Sequence, residues 1–157
     1  MTNLYLKAAG LGVIAGARSM MAPALTSSYL LTHPSLFLDA SPLKGMASPK
    51  AANVLRLMAL GELVGDKLPK TPNRTAPLPL GGRAAFGGLC GAAVFQAEGK
   101  PAAIGAAVGA AAAVASTFLT YTLRRNLSKA TKLPDPAVAV AEDALMLGLS
   151  RAIFASE

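Results

Sequence analysis

The sequence predicts an all-α, polytopic membrane bundle of about five spans, built as one domain over residues 1–157, and three observations carry that prediction. Apolar residues make up 53% of the chain and charged ones only 15%, with a mean hydropathy of +0.46; soluble domains usually carry about 25% charge. The stretch from Pro101 to Leu123 holds no charge and can cross a ~30 Å hydrocarbon core at ~1.5 Å per residue. The cations gather in short segments between apolar runs, at Lys67, Lys70 and Arg74 and again at Arg124, Arg125, Lys129 and Lys132, the pattern of cytoplasmic loops. The competing reading of the Ala-rich run is a buried helix of a soluble bundle.

Segment one runs from Leu4 to Leu31 and would be roughly 42 Å long as a straight helix, more than a bilayer core needs. Gly16-Ala17-Arg18-Ser19 interrupts it, with Pro23 just beyond. Proline lacks a backbone donor and clashes with the preceding turn, so the spacing predicts distorted backbone between Ala17 and Ala22. The two halves are each too short to span, which implies a broken or re-entrant first helix needing protein or water around its freed backbone groups. Thr32 to Ala47 reads as a loop. Ser48-Pro49 reads as an N-cap followed by proline at the first helical position, opening segment two, which the prolines at 69 and 72 stop near Lys67. A Pro-rich basic loop leads to segment three, Leu80 to Ala97. Glu98-Gly99-Lys100 is a tight connection, and Pro101 starts segment four, which runs into Arg124-Arg125. Asp135-Pro136 opens segment five, which continues to about Ala155.

If segment one crosses once, the loops after segments two and four share one side, and the opposite loops offer only Lys44, Lys50 and Lys100. The basic loops and the N-terminus then face the cytoplasm and the C-terminus is exported. If segment one is a hairpin, the N-terminus moves to the other face. Leu4–Ala17 followed by Ala22-Pro23-Ala24 imitates a signal peptide, but Arg18 falls between the apolar stretch and that site, so the segment is expected to be retained. The chain is read as a multi-pass protein of the bacterial inner membrane.

Several functions are excluded or disfavoured. The basic balance, +7 at neutral pH, is not interleaved with aromatics and carries no nucleic-acid-binding motif, so no nucleic acid is expected. His33 is the sole histidine and has no ligand-spaced companion, so neither metal nor cofactor is expected. Cys90, alone in a Gly/Ala stretch, reads as a packing residue. No nucleophile–base pair or phosphate loop is visible, and the chain is not read as an enzyme.

The informative residues are ionisable ones within or beside the apolar segments: Arg18, Arg56, Glu62, Asp66, Arg83, Glu142, Asp143 and Arg151. Charge at bilayer depth is costly and usually faces a bundle interior, a partner charge or a water-filled path. Six of them are candidates for such an interior: Arg18, Glu62, Asp66, Arg83, Glu142 and Asp143. Glu62 and Asp66 share a helical face, Asp66 also suiting the headgroup level. Glu142 and Asp143 point about 100° apart, so one of them at most faces a given partner. Glycines four apart at Gly12/Gly16, Gly61/Gly65, Gly87/Gly91 and Gly105/Gly109 suggest close helix packing within the chain or, alternatively, a homo-oligomer face. Gly16-Ala17-Arg18-Ser19 parallels Gly81-Gly82-Arg83-Ala84, hinting at halves 1–76 and 77–157 related as an inverted repeat.

The block Gly61-Glu62-Leu63-Val64-Gly65-Asp66-Lys67-Leu68-Pro69, with Pro72, Arg74, Pro77-Leu78-Pro79-Leu80 and Arg83, resembles the signature of a family of small bacterial membrane proteins. That family is known as domain of unknown function 4126. Gly16-Ala17-Arg18-Ser19 with Pro23, and Leu133-Pro134-Asp135 with Glu142-Asp143-Ala144, are similar too. The resemblance implies an integral membrane protein in the lipid bilayer and brings no activity with it. Two functions fit: a small transporter or channel-like protein for an ion or small solute with a charge-paired interior, or a structural or accessory membrane protein whose buried pairs fix its packing.

Overall fold

A computed structural model describes residues 2–65, 75–131 and 135–154, and every regular element among them is helical. In order these are α1 (Thr2–Ala17), α2 (Met21–Thr32), α3 (Leu36–Asp39), a 3-10 turn (Pro42–Ala47), α4 (Pro49–Gly65), α5 (Pro77–Ala97), α6 (Ala102–Thr131) and α7 (Asp135–Phe154).

Segment one breaks where Gly16 and Pro23 predict. Regular helix stops at Ala17 and resumes at Met21, which places Pro23 in a first turn, where its missing N–H is not needed. The chain then doubles back. Lys7 Nζ donates to the Tyr29 hydroxyl at 3.3 Å and lies 5.2 Å from the centre of that ring, so α2 runs antiparallel to α1. At ~1.5 Å per residue α1 is about 24 Å long and α2 about 18 Å; the pair is a hairpin with its tip at residues 18–20. Of the two arrangements considered for segment one, the structure has the hairpin: the Thr2 end of α1 lies at the same end of the bundle as Phe154, whose ring stacks on Tyr29 at 4.6 Å.

The packed centre is a three-helix contact of α1, α5 and α6. Helix α6 runs parallel to α1, with Gly12 against Gly109 and Gly16 against Ala113; α5 runs antiparallel to both, with Gly87 against Gly109 and Gly91 against Gly105. These glycines permit backbone-to-backbone approach: a Cβ at Gly87 would sit 2.7 Å from the Ala113 Cβ and from the Gly109 carbonyl oxygen. Small residues give close van der Waals packing between helices where hydrophobic burial alone supplies little. Gly61 and Gly65 behave differently, since a Cβ at either would meet nothing within 4 Å. The α4 pair is therefore not part of this contact.

Helices α4 and α7 flank that centre more loosely, α4 against α2 and the 3-10 turn, α7 chiefly against α1. Helix α5 begins at Pro77, ahead of the expected Leu80, because Pro77 and Pro79 both fit a first turn. The expected loop 32–47 contains α3 and the 3-10 turn, each started by a serine: Leu38 N donates to Ser35 Oγ at 3.4 Å and Leu43 N to Ser41 Oγ at 3.2 Å. Ser48 caps α4 as the sequence predicts, accepting from Ala51 N at 3.2 Å. At the α5–α6 connection Gly99 has φ +66°, a backbone conformation that glycine adopts without strain. Among the described residues two helices are long and apolar enough to cross a membrane, Pro77–Ala97 and Ala102–Leu123; the expected count of about five is not reached by that measure. The two Gly-x-Arg elements are not equivalent: Arg18 sits at the hairpin tip, whereas Arg83 lies inside unbroken α5.

Candidate functional site

Breaking a helix leaves carbonyls without donors at one end and N–H groups without acceptors at the other. At the tip, side chains from three other helices supply both. Arg83 Nη1 donates to the carbonyl oxygens of Gly16 and, at 3.1 Å, Ala17. Thr117 Oγ1 donates to Gly16 O at 3.2 Å, and Ser116 Oγ to Val13 O at 2.8 Å. At the start of α2, Ser19 N donates to Glu62 Oε1 and Met20 N to Glu62 Oε2, both at 2.8 Å. The signs match the helix dipoles, a cation at the C-terminal end of α1 and an anion at the N-terminal end of α2. Glu62 and Arg83 are thus caps supplied in trans by α4 and α5.

Arg18 reaches outward from the same tip. Its Nε donates to Asp143 Oδ1 of α7 at 2.6 Å, the Arg18 side chain being 2% exposed and that of Asp143 20%. An ion pair this short is a charge-assisted hydrogen bond. Beside it lies a cavity of about 490 Å³ between α2, α4 and α7. Arg18, Glu62 and Asp143 line one end, Arg56 lies further along α4, and leucine, methionine and alanine side chains form most of the remaining wall. Leu60 and Leu147, also in the lining, are 59% and 51% exposed, so the cavity opens sideways between α4 and α7.

With this geometry in view, the comparison with known families is decisive on one point. The model of a domain of unknown function, DUF4126, matches residues 6–156. The chain belongs to the DUF4126 family. Neither a search of curated proteins nor one of solved structures finds a match.

In this DUF4126 protein four of the six sequence candidates converge on the hairpin tip: Arg18, Glu62, Arg83 and Asp143. Asp66 lies outside the described residues. Glu142 precedes Asp143 on α7, and its side chain lies outside those described. Of the other two charges singled out, Arg56 is exposed and its Nε donates to Ser28 Oγ at 3.1 Å, while Arg151 is exposed in the last turn of α7. Charge count alone would pair arginine with glutamate; the structure gives the Glu62 carboxylate to two main-chain N–H groups and Arg83 Nη1 to two main-chain carbonyls, roles visible only once the break is placed. Ser116 and Thr117 escaped sequence reasoning, because hydroxyls in a helix ordinarily bond their own preceding turn, as Thr117 also does with Ala113 O at 2.8 Å.

Lys7 was missed as well. It is 6% exposed and lies at the opposite end of the hairpin, where a smaller cavity of about 150 Å³ is lined by Lys7, Tyr29, His33, Ser35 and Glu98 among others. Tyr29 is sandwiched there between the rings of His33 and Phe154, at 4.2 and 4.6 Å. Between the two ends lies an apolar core that includes Leu11, Ile14, Ala22, Val94 and Met146. Among the described residues no three His, Cys, Asp or Glu side chains come together as a metal site would require.

Proposed function

We propose that this DUF4126 protein is an integral membrane protein that binds and transports a small solute at the tip of a re-entrant hairpin. The observation that carries the reading is the cavity of about 490 Å³ whose polar end is a broken helix with Arg18, Glu62 and Asp143 around it. Discontinuous helices whose ends face a cavity are a recurrent solution for binding inside a membrane, since irregular backbone is tolerated there only against protein or water. In this reading α4, α5, α6 and α7 cross the bilayer, the α1–α2 hairpin enters and leaves by one face, and both ends of the described chain share that face. The alternating directions of the long helices, α1, α2 and α4 followed by α5, α6 and α7, support a reading as two halves of opposite orientation, as in inverted-repeat transporters. The C-terminal ends of α4 and α6 lie at the tip end, and the lysine- and arginine-rich stretches follow them in the sequence, which supports reading that end as the cytoplasmic side of a bacterial inner membrane.

The second reading, a structural membrane protein without transport, is favoured by the use of Glu62 and Arg83 as backbone caps. Flux separates the two. Reconstituted protein on a solid-supported membrane is tested with gradients of protons, alkali cations, small organic cations and small anions. The expected result is a current or uptake above that of empty liposomes for one of these, abolished by Ala59→Phe, which fills the cavity without touching a charge. No flux for any class would overturn transport in favour of the scaffold.

A further inference from the structure

We propose that the solute class is an amphipathic organic cation, taken up through the lateral opening between α4 and α7 with its charge beside Asp143 and Glu62. The inference rests on the reading of this cavity as the solute site and adds the sign and shape of the solute.

Three observations fix them. First, most of the wall is hydrocarbon, including Met21, Leu25, Leu63 and Leu147, so a fully hydrophilic ion would lose its hydration along most of the cavity without compensation. The occupant needs an apolar body. Second, Arg18, Glu62 and Asp143 all line the tip end, and the arginine is the most withdrawn of the three. Arg18 is 2% exposed and its Nε is held by Asp143 Oδ1 at 2.6 Å, whereas Asp143 is 20% exposed and Glu62 is half-buried. A cation can approach Asp143 Oδ2 and the outer side of Glu62 with the existing pair intact. An anion would have to break the short Arg18–Asp143 contact or face two carboxylates in an apolar surround, where like charges repel strongly. Third, Arg56, the other cation lining the cavity, lies six residues before Glu62 on α4, roughly 9 Å along the axis, and is exposed. Its Nε donates to Ser28 Oγ on the α2 wall at 3.1 Å, which ties the guanidinium there and not beside the carboxylates, while its methylenes join the apolar wall.

The opening fits such a molecule. Leu60 and Leu147 are exposed apolar side chains on opposite walls, so an amphiphile dissolved in surrounding apolar medium enters body-first without passing through water. The Glu62 carboxylate already neutralises the positive end of α2, which removes the usual reason for a helix N-terminus to select anions.

The test uses the purified full-length protein and two rigid probes of matched shape and opposite charge, tetraphenylphosphonium and tetraphenylborate, in equilibrium dialysis against detergent-only controls. The expected result is saturable binding of about one tetraphenylphosphonium per chain, with tetraphenylborate at least tenfold weaker. Ala59→Phe and, on the facing helix, Leu147→Trp are each expected to weaken the cation at least tenfold; using both walls guards against one variant failing to fold. Equal binding of the two probes would reduce the site to an apolar crevice and overturn the inference. So would preference for tetraphenylborate, which would assign the site to Arg18 and Arg56, or cation binding that both wall variants leave unchanged. Flux of some other solute without tetraphenylphosphonium binding removes this inference and leaves transport standing. Binding without flux of any solute removes transport and leaves the cation site standing.

Discussion

Replacing Glu62 with glutamine probes the hairpin tip most directly, because it changes one oxygen to a nitrogen and little else. In the native chain the carboxylate accepts from Ser19 N and Met20 N, each at 2.8 Å. Hydrogen bonds to a charged group contribute about 1.5–3 kcal/mol each. Glutamine keeps one acceptor, making a neutral bond of about 1 kcal/mol, and turns a donor toward the other N–H. The difference is about 2–5 kcal/mol, and since Glu62 is half-buried the lower part, about 2–3 kcal/mol, is expected. Equilibrium unfolding of the detergent-purified protein measures the total. Amide hydrogen exchange localises it: a local loss of about 2 kcal/mol corresponds to about 30-fold faster exchange at Ser19 and Met20, at about 1.4 kcal/mol per tenfold. A stability change below about 0.5 kcal/mol with unaltered exchange at those two amides would refute the capping argument. From sequence alone, Glu62→Gln under the transport reading would spare folding and remove flux. The tip geometry gives Glu62 a structural share, so its neutralisation tests stability first.

Arg83→Met removes the guanidinium from the Gly16 and Ala17 carbonyls at a site 4% exposed; a loss of about 3–5 kcal/mol is expected by the same unfolding assay, with Arg83→Lys recovering part of it, and no loss would show that Thr117 suffices. Topology follows from the hairpin: in a Cys90→Ala background, cysteines at Asn3 and at the exposed Lys44 should react with an impermeant maleimide from one face and a cysteine at Ser128 from the other. Labelling of Asn3 and Ser128 from the same face would restore a single crossing of segment one.

The sequence by itself determined the helical class, the family and the place of the break. Composition set the first, the Gly61–Arg83 block carried the second, and Gly16, Arg18 and Pro23 fixed the third, because proline and glycine act on their own backbone whatever surrounds them. It also named four charged residues that do meet. It did not decide how they meet. Whether α1 and α2 continue or fold back depends on which helices offer donors and acceptors to the broken ends, and Arg83, Thr117 and Glu62 come from positions 42 to 101 residues away in the chain. The four-apart glycines show the same limit: Gly87/Gly91 and Gly61/Gly65 have identical spacing, yet the first pair lies against α6 and the second faces open space. Spacing defines a helix face, but what lies across from that face is a property of the assembled fold. The lateral cavity is likewise a product of assembly, since it exists only where α4 and α7 flank the α1–α2 hairpin and each reaches its tip through a carboxylate.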